Sequence, residues 1–268
     1  MGGMETHDLE PENLLAKTTP AATMVIYRRD PAGGPAQILM VERNASLKFA
    51  GGATVFPGGK VDAEDFALAA RLSGLAQMEH DDLAARIAAV RETLEETGLV
   101  VGIAGRVDGV IAAEARSMLI ETGHLAPVLE RFGWHIVPER LTLFARWWPR
   151  HRTERIFDTR FYLADLGTGA VDIAVDATEN RHMFWASAEE ALRLAEDGRI
   201  KVIFPTRRNL ERLAQFTTFE QARAHAIETP VQTISPYLEK RDGQHWLMIP
   251  DGLGYPVRGE PLDLAQRG

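Results

Sequence analysis

The run Arg-Glu-Thr-Leu-Glu-Glu-Thr-Gly at residues 91–98 places three carboxylates, those of Glu92, Glu95 and Glu96, within about one turn of a possible helix. In a helix, these side chains would project from roughly one side. Like charges at this spacing repel each other, by about 1 kcal/mol per pair at 4 Å in water and by more when solvent is excluded. A divalent cation removes the conflict, because Mg²⁺ and Mn²⁺ prefer carboxylate oxygens. The run therefore indicates a metal site.

A glycine-rich segment lies upstream, in the run Phe-Pro-Gly-Gly-Lys at residues 56–60. Glycines allow the backbone to come close to a ligand, and backbone amides together with Lys60 could contact phosphate oxygens. With the acidic run, this segment indicates metal-assisted phosphate chemistry. Each part also has an ordinary interpretation: Lys60 could simply be solvated, and Arg91 and Glu95 could form an ion pair on an exposed helix.

The order of these elements resembles the Nudix box, in which a Gly, a Glu and an Arg-Glu-x-x-Glu-Glu-x-Gly run build a loop–helix–loop that binds metal and a pyrophosphate. Gly59 matches the opening glycine, and residues 91–98 match the second half. Thr93 replaces an aliphatic residue, and Asp65 stands where the motif has its first Glu. The segment from Gly59 to Arg91 is 18 residues longer than in the usual motif. A branch of the family that cleaves coenzyme A carries an insertion at this point, and the chain resembles that branch.

The resemblance implies roles for individual residues. Glu92, Glu95 and Glu96 would hold Mg²⁺ or Mn²⁺, and Arg91 would orient these glutamates or reach a phosphate. Nudix enzymes often add a glutamate from a loop before a strand that bears a Trp, and Glu179, six residues before Trp185, matches this position. It would complete the metal shell or act as general base.

Further residues are candidates for substrate binding. The expected substrate-binding set is Gly58, Gly59, Lys60, Arg43 and Arg155. The additional phosphate of coenzyme A would need a basic contact, for which the candidates are Arg43, Lys48, Arg152 and Arg155. Two other glutamates, Glu114 and Glu121, lie in helical stretches without a supporting motif.

Composition limits the remaining possibilities. The chain has 268 residues, of which 45% are hydrophobic and 25% charged, which is typical of a soluble globular protein. A net charge of −8 argues against general affinity for nucleic acid or an anionic membrane. The absence of Cys excludes disulfides and thiolate chemistry. No secretory signal or membrane-spanning run is recognisable, so we expect a cytoplasmic protein.

The pattern of apolar residues predicts the elements that position the site. A short inserted helix is expected over residues 65–75, followed by a helix that begins near Asp81 or Asp82, whose side chains could cap it. The buried stripe of this second helix is expected to comprise Leu83, Ile87, Val90 and Leu94. We expect a leader at residues 1–19, a Nudix hydrolase domain at 20–226 with its insertion at about 65–81, and a hairpin and tail at 227–268.

The resemblance implies an α/β fold, a Nudix-type α/β/α sandwich with a mixed central sheet, an inserted helix and a C-terminal extension. The expected function is metal-dependent hydrolysis of the diphosphate in a nucleoside diphosphate linked to another group, foremost coenzyme A or acyl-coenzyme A. One alternative keeps this chemistry but acts on NADH, another dinucleotide or ADP-ribose. A second alternative is a catalytically silent nucleotide-binding module that regulates a partner. The expected partner is a small-molecule nucleotide-diphosphate substrate, with no nucleic acid or membrane, and the chain could form a homodimer.

Overall fold

The structure is a computed structural model that describes residues 18–45, 50–72, 78–149, 156–167 and 180–265. The helices formed by these residues are α1 (Ala63–Leu72), α2 (His80–Thr97), α3 (Gly109–Thr122), α4 (Leu125–Phe132), α5 (Ala188–Glu196), α6 (Phe204–Leu213), α7 (Phe219–Glu228) and α8 (Leu262–Ala265). A short 3₁₀ helix covers Pro138–Arg140.

The strands of the central sheet are β1 (Thr18–Arg28), β2 (Gln37–Arg43), β3 (Thr54–Val55), β4 (Gly58–Lys60), β7 (Thr142–Trp147), β8 (Ile156–Asp165), β9 (Asn180–Ala186) and β10 (Thr233–Ile234). Smaller sheets contain β5 (Ile103–Ala104) and β6 (His135–Ile136), and β11 (Tyr237–Arg241), β12 (Gln244–Met248) and β13 (Gly259–Pro261). Strand β5 begins at Ile103, where pairing with β6 begins opposite Ile136.

The central sheet is mixed. Its strand order is β10-β7-β8-β1-β2-β3, with β4 paired to β1 and β9 paired to β2. Strand β1 runs parallel to β8 and antiparallel to β2 and β4, so it is the strand that links the two halves of the sheet. These features confirm the expected α/β fold with a mixed central sheet.

Both faces of the sheet are covered, because the side chains of β1 alternate between two cores. Met24 and Ile26 pack against α2 and its neighbours α3 and α4. Val25 and Tyr27 point the other way, into the core that contains residues of α5, α6 and α7. Alternation with a period of two residues therefore gives a sheet with a helical layer on each side.

Helix α2 has the buried stripe that the apolar pattern predicts, since Leu83, Ile87, Val90 and Leu94 are all at most 1% exposed. The expected cap is wrong. The N-cap residue is Glu79, without a side-chain hydrogen bond to the helix, and Asp82 instead accepts hydrogen bonds from Arg86 and Tyr162. The two oxygens of this carboxylate are therefore used by Arg86, one turn later in the same helix, and by Tyr162 of β8.

The insertion forms α1, which begins two residues earlier than expected. Leu68 and Ala69 are buried, and Phe66 and Leu72 pack against the same core at its edge. The start of α1 therefore lies beside α2, and this places Asp65 within reach of the acidic run.

The C-terminal part adds a three-stranded antiparallel sheet, in which β11 and β12 pair across the turn at Asp242–Gly243. Residues Ile249, Leu253 and Tyr255 beyond β12 are buried against the α6 side of the molecule. Within the described ranges, no helix is long and apolar enough to cross a membrane.

Candidate active site

Arg91 lies at the centre of the acidic cluster and is 5% exposed. Its guanidinium donates to Asp65, with Nη2 2.9 Å from Oδ2 and Nε 3.1 Å from Oδ1. It also donates to the carbonyl oxygen of Lys60 at 2.9 Å and to Glu92 Oε1 at 2.9 Å. Asp62 lies 3.3 Å from Nη2, and Glu95 lies 3.6 Å from Nη1. Arg91 thus joins the end of the glycine strand, the inserted helix and the acidic face of α2.

The electrostatics of Arg91 follow from these contacts. Burial by itself would lower the pKa of its guanidinium, but the hydrogen bonds to Asp65 and the charges of Glu92 and Asp62 outweigh burial and raise it. The group remains a cation under all relevant conditions. A fixed positive charge beside several carboxylates reduces their mutual repulsion and holds Glu92 in one orientation.

The glycine segment is a strand rather than the expected loop. Gly58 and Gly59 belong to β4, where Gly59 pairs with Ala22 of β1. A methyl group on Gly59 would overlap the carboxylate of Glu92, so only a glycine permits this contact. The glycine at position 59 therefore allows β4 to approach α2 closely.

The backbone amide of Gly58 makes a different contact from the one that the sequence pattern predicted. Its N–H donates to Glu96 Oε2 at 3.1 Å, whereas the sequence pattern suggested a backbone amide directed at phosphate. The bond forms because β4 lies directly on the acidic face of α2. It fixes the carboxylate of Glu96, which is 3% exposed.

The three glutamates differ in access to solvent. The side chains of Glu92 and Glu95 are 15% and 39% exposed, so Glu95 is the most accessible of the three. Helix α2 ends directly after them, where Gly98 has a φ of 74° and its N–H donates to the carbonyl oxygen of Leu94. This left-handed cap ends the helix directly after the acidic run.

The donor set suits a hard divalent cation, because all available ligand atoms are carboxylate oxygens. Two ion pairs with Arg91 and the bond from Gly58 already hold these carboxylates. Among the described residues, no group of three or more His, Asp or Glu side chains has converged into a ready-made metal cage. Glu92, Glu95 and Glu96 are the residues on α2 that could hold a metal.

Several expected site residues lie outside the described residues, namely Glu179, Arg155, Lys48 and Arg152. The side chain of Lys60 is exposed, and its carbonyl oxygen accepts a hydrogen bond from Arg91. Arg43 ends β2, and its buried Nε has no hydrogen-bond partner among the described residues. Glu114 and Glu121 are exposed on α3.

Two residues of the site were not assigned a role from the sequence. Asp65 is 2% exposed and is the main carboxylate partner of Arg91; its position six residues after Gly59 is the signal that points to it. Arg116, on α3, donates from Nε to the carbonyl oxygen of Glu95 at 2.8 Å and so ties α3 to the last turn of α2. Nothing in the local sequence marks Arg116, because it contacts a backbone atom 21 residues away.

Comparisons with known proteins agree with this architecture. Residues 17–130 match the family model described as NUDIX domain. The structure of a NUDIX hydrolase from Alicyclobacillus acidocaldarius is 26% identical to this chain and covers 77% of it and 96% of its own length, with a TM-score of 0.67. No curated protein sequence matches the chain.

Two other solved structures are more distant. An Ap4A hydrolase binary complex from C. elegans is 18% identical and covers 66% of this chain and 86% of its own, with a TM-score of 0.36. The NUDIX domain of NrtR from Shewanella oneidensis, complexed with ADP ribose, is 12% identical and covers 81% of this chain and 99% of its own, with a TM-score of 0.37. The segment match and the Alicyclobacillus structure identify residues 17–130 as a NUDIX domain in a chain with the Nudix fold, and they support a hydrolase that acts on phosphoanhydride bonds.

Proposed function

We propose that this chain is a divalent-metal-dependent hydrolase that cleaves the diphosphate of a nucleoside diphosphate linked to another group. The observation that supports this proposal is the assembly around Arg91, in which β4, α1 and α2 meet. One buried cation there organises the carboxylates of Asp65, Glu92 and Glu95. These contacts hold the carboxylates at the acidic end of α2 in defined positions without the help of a ligand.

In this proposal, Glu92, Glu95 and Glu96 hold Mg²⁺ or Mn²⁺. The metal, when bound, neutralises charge on the diphosphate and lowers the pKa of a water molecule. Arg91 orients Glu92, and the Gly58 amide orients Glu96, so that two of the three carboxylates are positioned by protein contacts. Preorganised carboxylates avoid the cost of ordering them during catalysis.

Two residues outside α2 have further proposed roles. Glu179 would add a carboxylate, either as a metal ligand or as general base, and Lys60 would attract the substrate as an exposed cation at the end of β4. The exposed ammonium of Lys60 can rotate freely, so it would act as a point charge rather than as an orienting contact.

The proposed substrate is coenzyme A or an acyl derivative. The insertion that becomes α1 supports this choice, because the coenzyme A-cleaving branch of the family carries an insertion at the same point. Arg43 offers a donor for the additional phosphate, since its Nε has no hydrogen-bond partner within the part of the chain that the structure describes. NADH and ADP-ribose remain the alternative substrates within the same chemistry.

The other class of function is a silent nucleotide-binding module. The acidic cluster argues against it, because a module that only binds an anionic nucleotide gains nothing from keeping three carboxylates beside the phosphates. A divalent cation would explain why three carboxylates lie close together, because it neutralises their mutual repulsion.

The test is a substrate panel. Purified protein would be incubated with Mg²⁺ or Mn²⁺ and with coenzyme A, acetyl-coenzyme A, NADH, ADP-ribose and Ap4A, and the products identified by mass spectrometry. Cleavage of coenzyme A to 3′-phosphoadenosine 5′-phosphate and 4′-phosphopantetheine supports the full proposal. Cleavage of a different compound would support the diphosphatase chemistry but not coenzyme A as substrate. If the protein binds a nucleotide tightly and cleaves none of the compounds in the presence of metal, the silent module is favoured. The Glu95→Gln variant controls for a contaminating hydrolase.

A further inference from the structure

Every nitrogen of the Arg91 guanidinium is used by the protein itself. Nε donates to Asp65, and Nη2 donates to Asp65 and to the carbonyl oxygen of Lys60. Nη1 donates to Glu92 and lies 3.6 Å from Glu95. Because an arginine has five N–H donors, these contacts account for all of them. Of the two roles expected for Arg91, the contacts therefore support the orientation of the glutamates and not a contact with a phosphate.

The acidic run also carries more negative charge than Arg91 can balance. Asp62 and Asp65 together with the three glutamates of α2 give five carboxylates around this one guanidinium and the neighbouring amide of Gly58. A diphosphate substrate would add further negative charge at the same place. Like charges repel, so binding of a diphosphate here is favoured by a second protein cation close to the acidic run.

Arg116 is an arginine at this end of α2 whose donors are mostly free. It belongs to α3, and its Nε donates to the carbonyl oxygen of Glu95 at 2.8 Å. The side chain is partly exposed, and its Nη1 and Nη2 make no hydrogen bond or ion pair within the described ranges. Four of the five N–H donors of this guanidinium are therefore available beside the acidic run.

The packing of α3 fixes the place of this guanidinium. Ala115 and Leu119 are fully buried in the core that also contains the inner face of α2, so α3 is held firmly against that core. Because a guanidinium is planar and rigid, the bond from Nε to the carbonyl of Glu95 also fixes the direction of both Nη groups. Lys60 differs in this respect, since its exposed ammonium can rotate.

We propose that Arg116 binds a phosphate group of the substrate through its two Nη groups. This inference rests on the proposed hydrolase function and adds to it a substrate contact on α3. The fork of a guanidinium matches two oxygens of one phosphate. The bond to Glu95 holds this fork next to the carboxylates that are proposed to bind the metal. Arg116 therefore determines how tightly a nucleoside diphosphate binds.

The test is the affinity for α,β-methylene-ADP, a nucleoside diphosphate whose two phosphorus atoms are joined by a carbon that water cannot cleave. Calorimetry in the presence of Mg²⁺ gives its Kd. Arg116→Met should weaken binding by about ten-fold or more, because a charge-assisted pair of hydrogen bonds is lost. Arg116→Lys keeps the charge but lacks the fork and should weaken binding by about three-fold or more, which keeps the test valid should Arg116→Met not fold.

Arg140→Met is the matched control and should bind the analogue as the parent does. Arg140 also donates to a backbone carbonyl, that of Ile103 at 2.7 Å, but this carbonyl belongs to β5 rather than to the acidic helix. The control therefore removes the same charge and the same type of tether. A loss of binding in Arg140→Met equal to that in Arg116→Met would contradict the proposal.

The affinity for Mn²⁺ without nucleotide separates this role from a structural one. If Arg116 only held α3 against α2, Arg116→Met would disturb Glu95 and weaken Mn²⁺ binding, which electron paramagnetic resonance measures. The proposal expects Mn²⁺ binding no weaker than in the parent, with the loss confined to the analogue. Equal analogue binding in Arg116→Met and the parent, or a parallel loss of both ligands, overturns the proposal. A parent protein that binds neither ligand would refute the proposed hydrolase function and the Arg116 contact with it.

Discussion

Asp65 and Arg91 form a buried ion pair that ties the inserted helix to the acidic helix. Their side chains are 2% and 6% exposed, and Nη2 of Arg91 lies 2.9 Å from Oδ2 of Asp65. Asp65 also accepts a hydrogen bond from the amide of Asp62, so the carboxylate is held from two sides. The orientation of Arg91, and through it that of Glu92, therefore depends on where α1 begins.

The first prediction concerns this pair. Asp65→Ala should destabilise the protein by about 3–5 kcal/mol, because it leaves Arg91 buried without its main partner. Asp62→Ala is the matched control: its side chain is 54% exposed and lies 3.3 Å from the same guanidinium, so its loss should cost under about 1 kcal/mol. Urea unfolding measures both. Similar losses in the two variants would mean that Asp65 does not anchor Arg91.

A second prediction tests the contact between β4 and α2. Gly59→Ala should fold but lower kcat by about ten-fold or more, because the methyl group overlaps the carboxylate of Glu92 and displaces it by about 1 Å. Gly109→Ala is the control, since nothing lies within 4 Å of a methyl group at that position. The experiment compares kcat and circular dichroism for both variants. Unchanged kcat in Gly59→Ala would show that the position of Glu92 does not matter for turnover.

A third prediction addresses the glutamates themselves. Glu95→Gln and Glu96→Gln should each lower turnover by about 10²-fold or more, because each removes a carboxylate charge from the proposed metal site. Both should stay folded, since glutamine keeps the shape of the side chain, and the partly exposed ion pair between Glu95 and Arg91 contributes only about 1 kcal/mol or less. The amide oxygen of a glutamine can still accept the Gly58 N–H. Glu114→Gln, on the exposed face of α3, should retain full activity. Full activity in either active-site variant removes the metal-site assignment.

The sequence was sufficient for those parts of the site that depend on local spacing. The stripe of Leu83, Ile87, Val90 and Leu94 repeats with the helical period, so burial of α2 and the direction of its acidic face follow from it. The order of the motif also predicted that the glycine segment and the acidic run belong to one site, and the structure places Gly59 against the carboxylate of Glu92. The roles of Glu179 and Arg155 remain predictions.

Other features could not be read from the sequence because they arise from tertiary packing. Gly58 and Gly59 have little tendency to form a strand, and β4 exists because β1 offers hydrogen-bond partners beside α2. Helix α2 begins at His80, so Asp82 lies inside the helix rather than at its cap, and its carboxylate accepts hydrogen bonds from Arg86 and Tyr162. The contact of Arg116 with Glu95 depends on the path of α3, which no local pattern specifies.

A fourth prediction concerns pH. Burial raises the pKa of Glu211 to about 7 from 4.5, although the charge of Arg208 opposes this shift. Since the folded state then holds this proton more tightly than the unfolded state, Glu211 reduces stability progressively as pH rises from about 4.5 to about 7, and the full penalty applies above that range. Glu211→Gln should therefore be more stable than the parent protein at pH 8, by about 1–3 kcal/mol, and no more stable near pH 4.

Thermal unfolding across this range of pH measures the difference between Glu211→Gln and the parent. Glu189→Gln, at the exposed start of α5, is a suitable control and should follow the parent curve. A variant that is less stable than the parent at pH 8 would show that the ion pair between Glu211 and Arg208 outweighs the cost of burying the carboxylate.

The last prediction concerns the choice of substrate. If the proposed substrate is right, coenzyme A should be preferred over its dephospho form by about ten-fold or more in kcat/KM, because a charge-assisted contact to the additional phosphate contributes about 1.5–3 kcal/mol. Arg43 is the described candidate for this contact, since no other described residue makes a hydrogen bond with its buried Nε. Arg43→Met should therefore reduce the preference by lowering kcat/KM for coenzyme A while leaving dephospho-coenzyme A nearly unchanged. Loss of activity on both compounds alike would assign Arg43 to the structure of β2 rather than to phosphate recognition. Equal rates for the two compounds with the parent protein, or a clear preference for NADH or ADP-ribose, would refute coenzyme A as substrate and leave the diphosphatase chemistry in place.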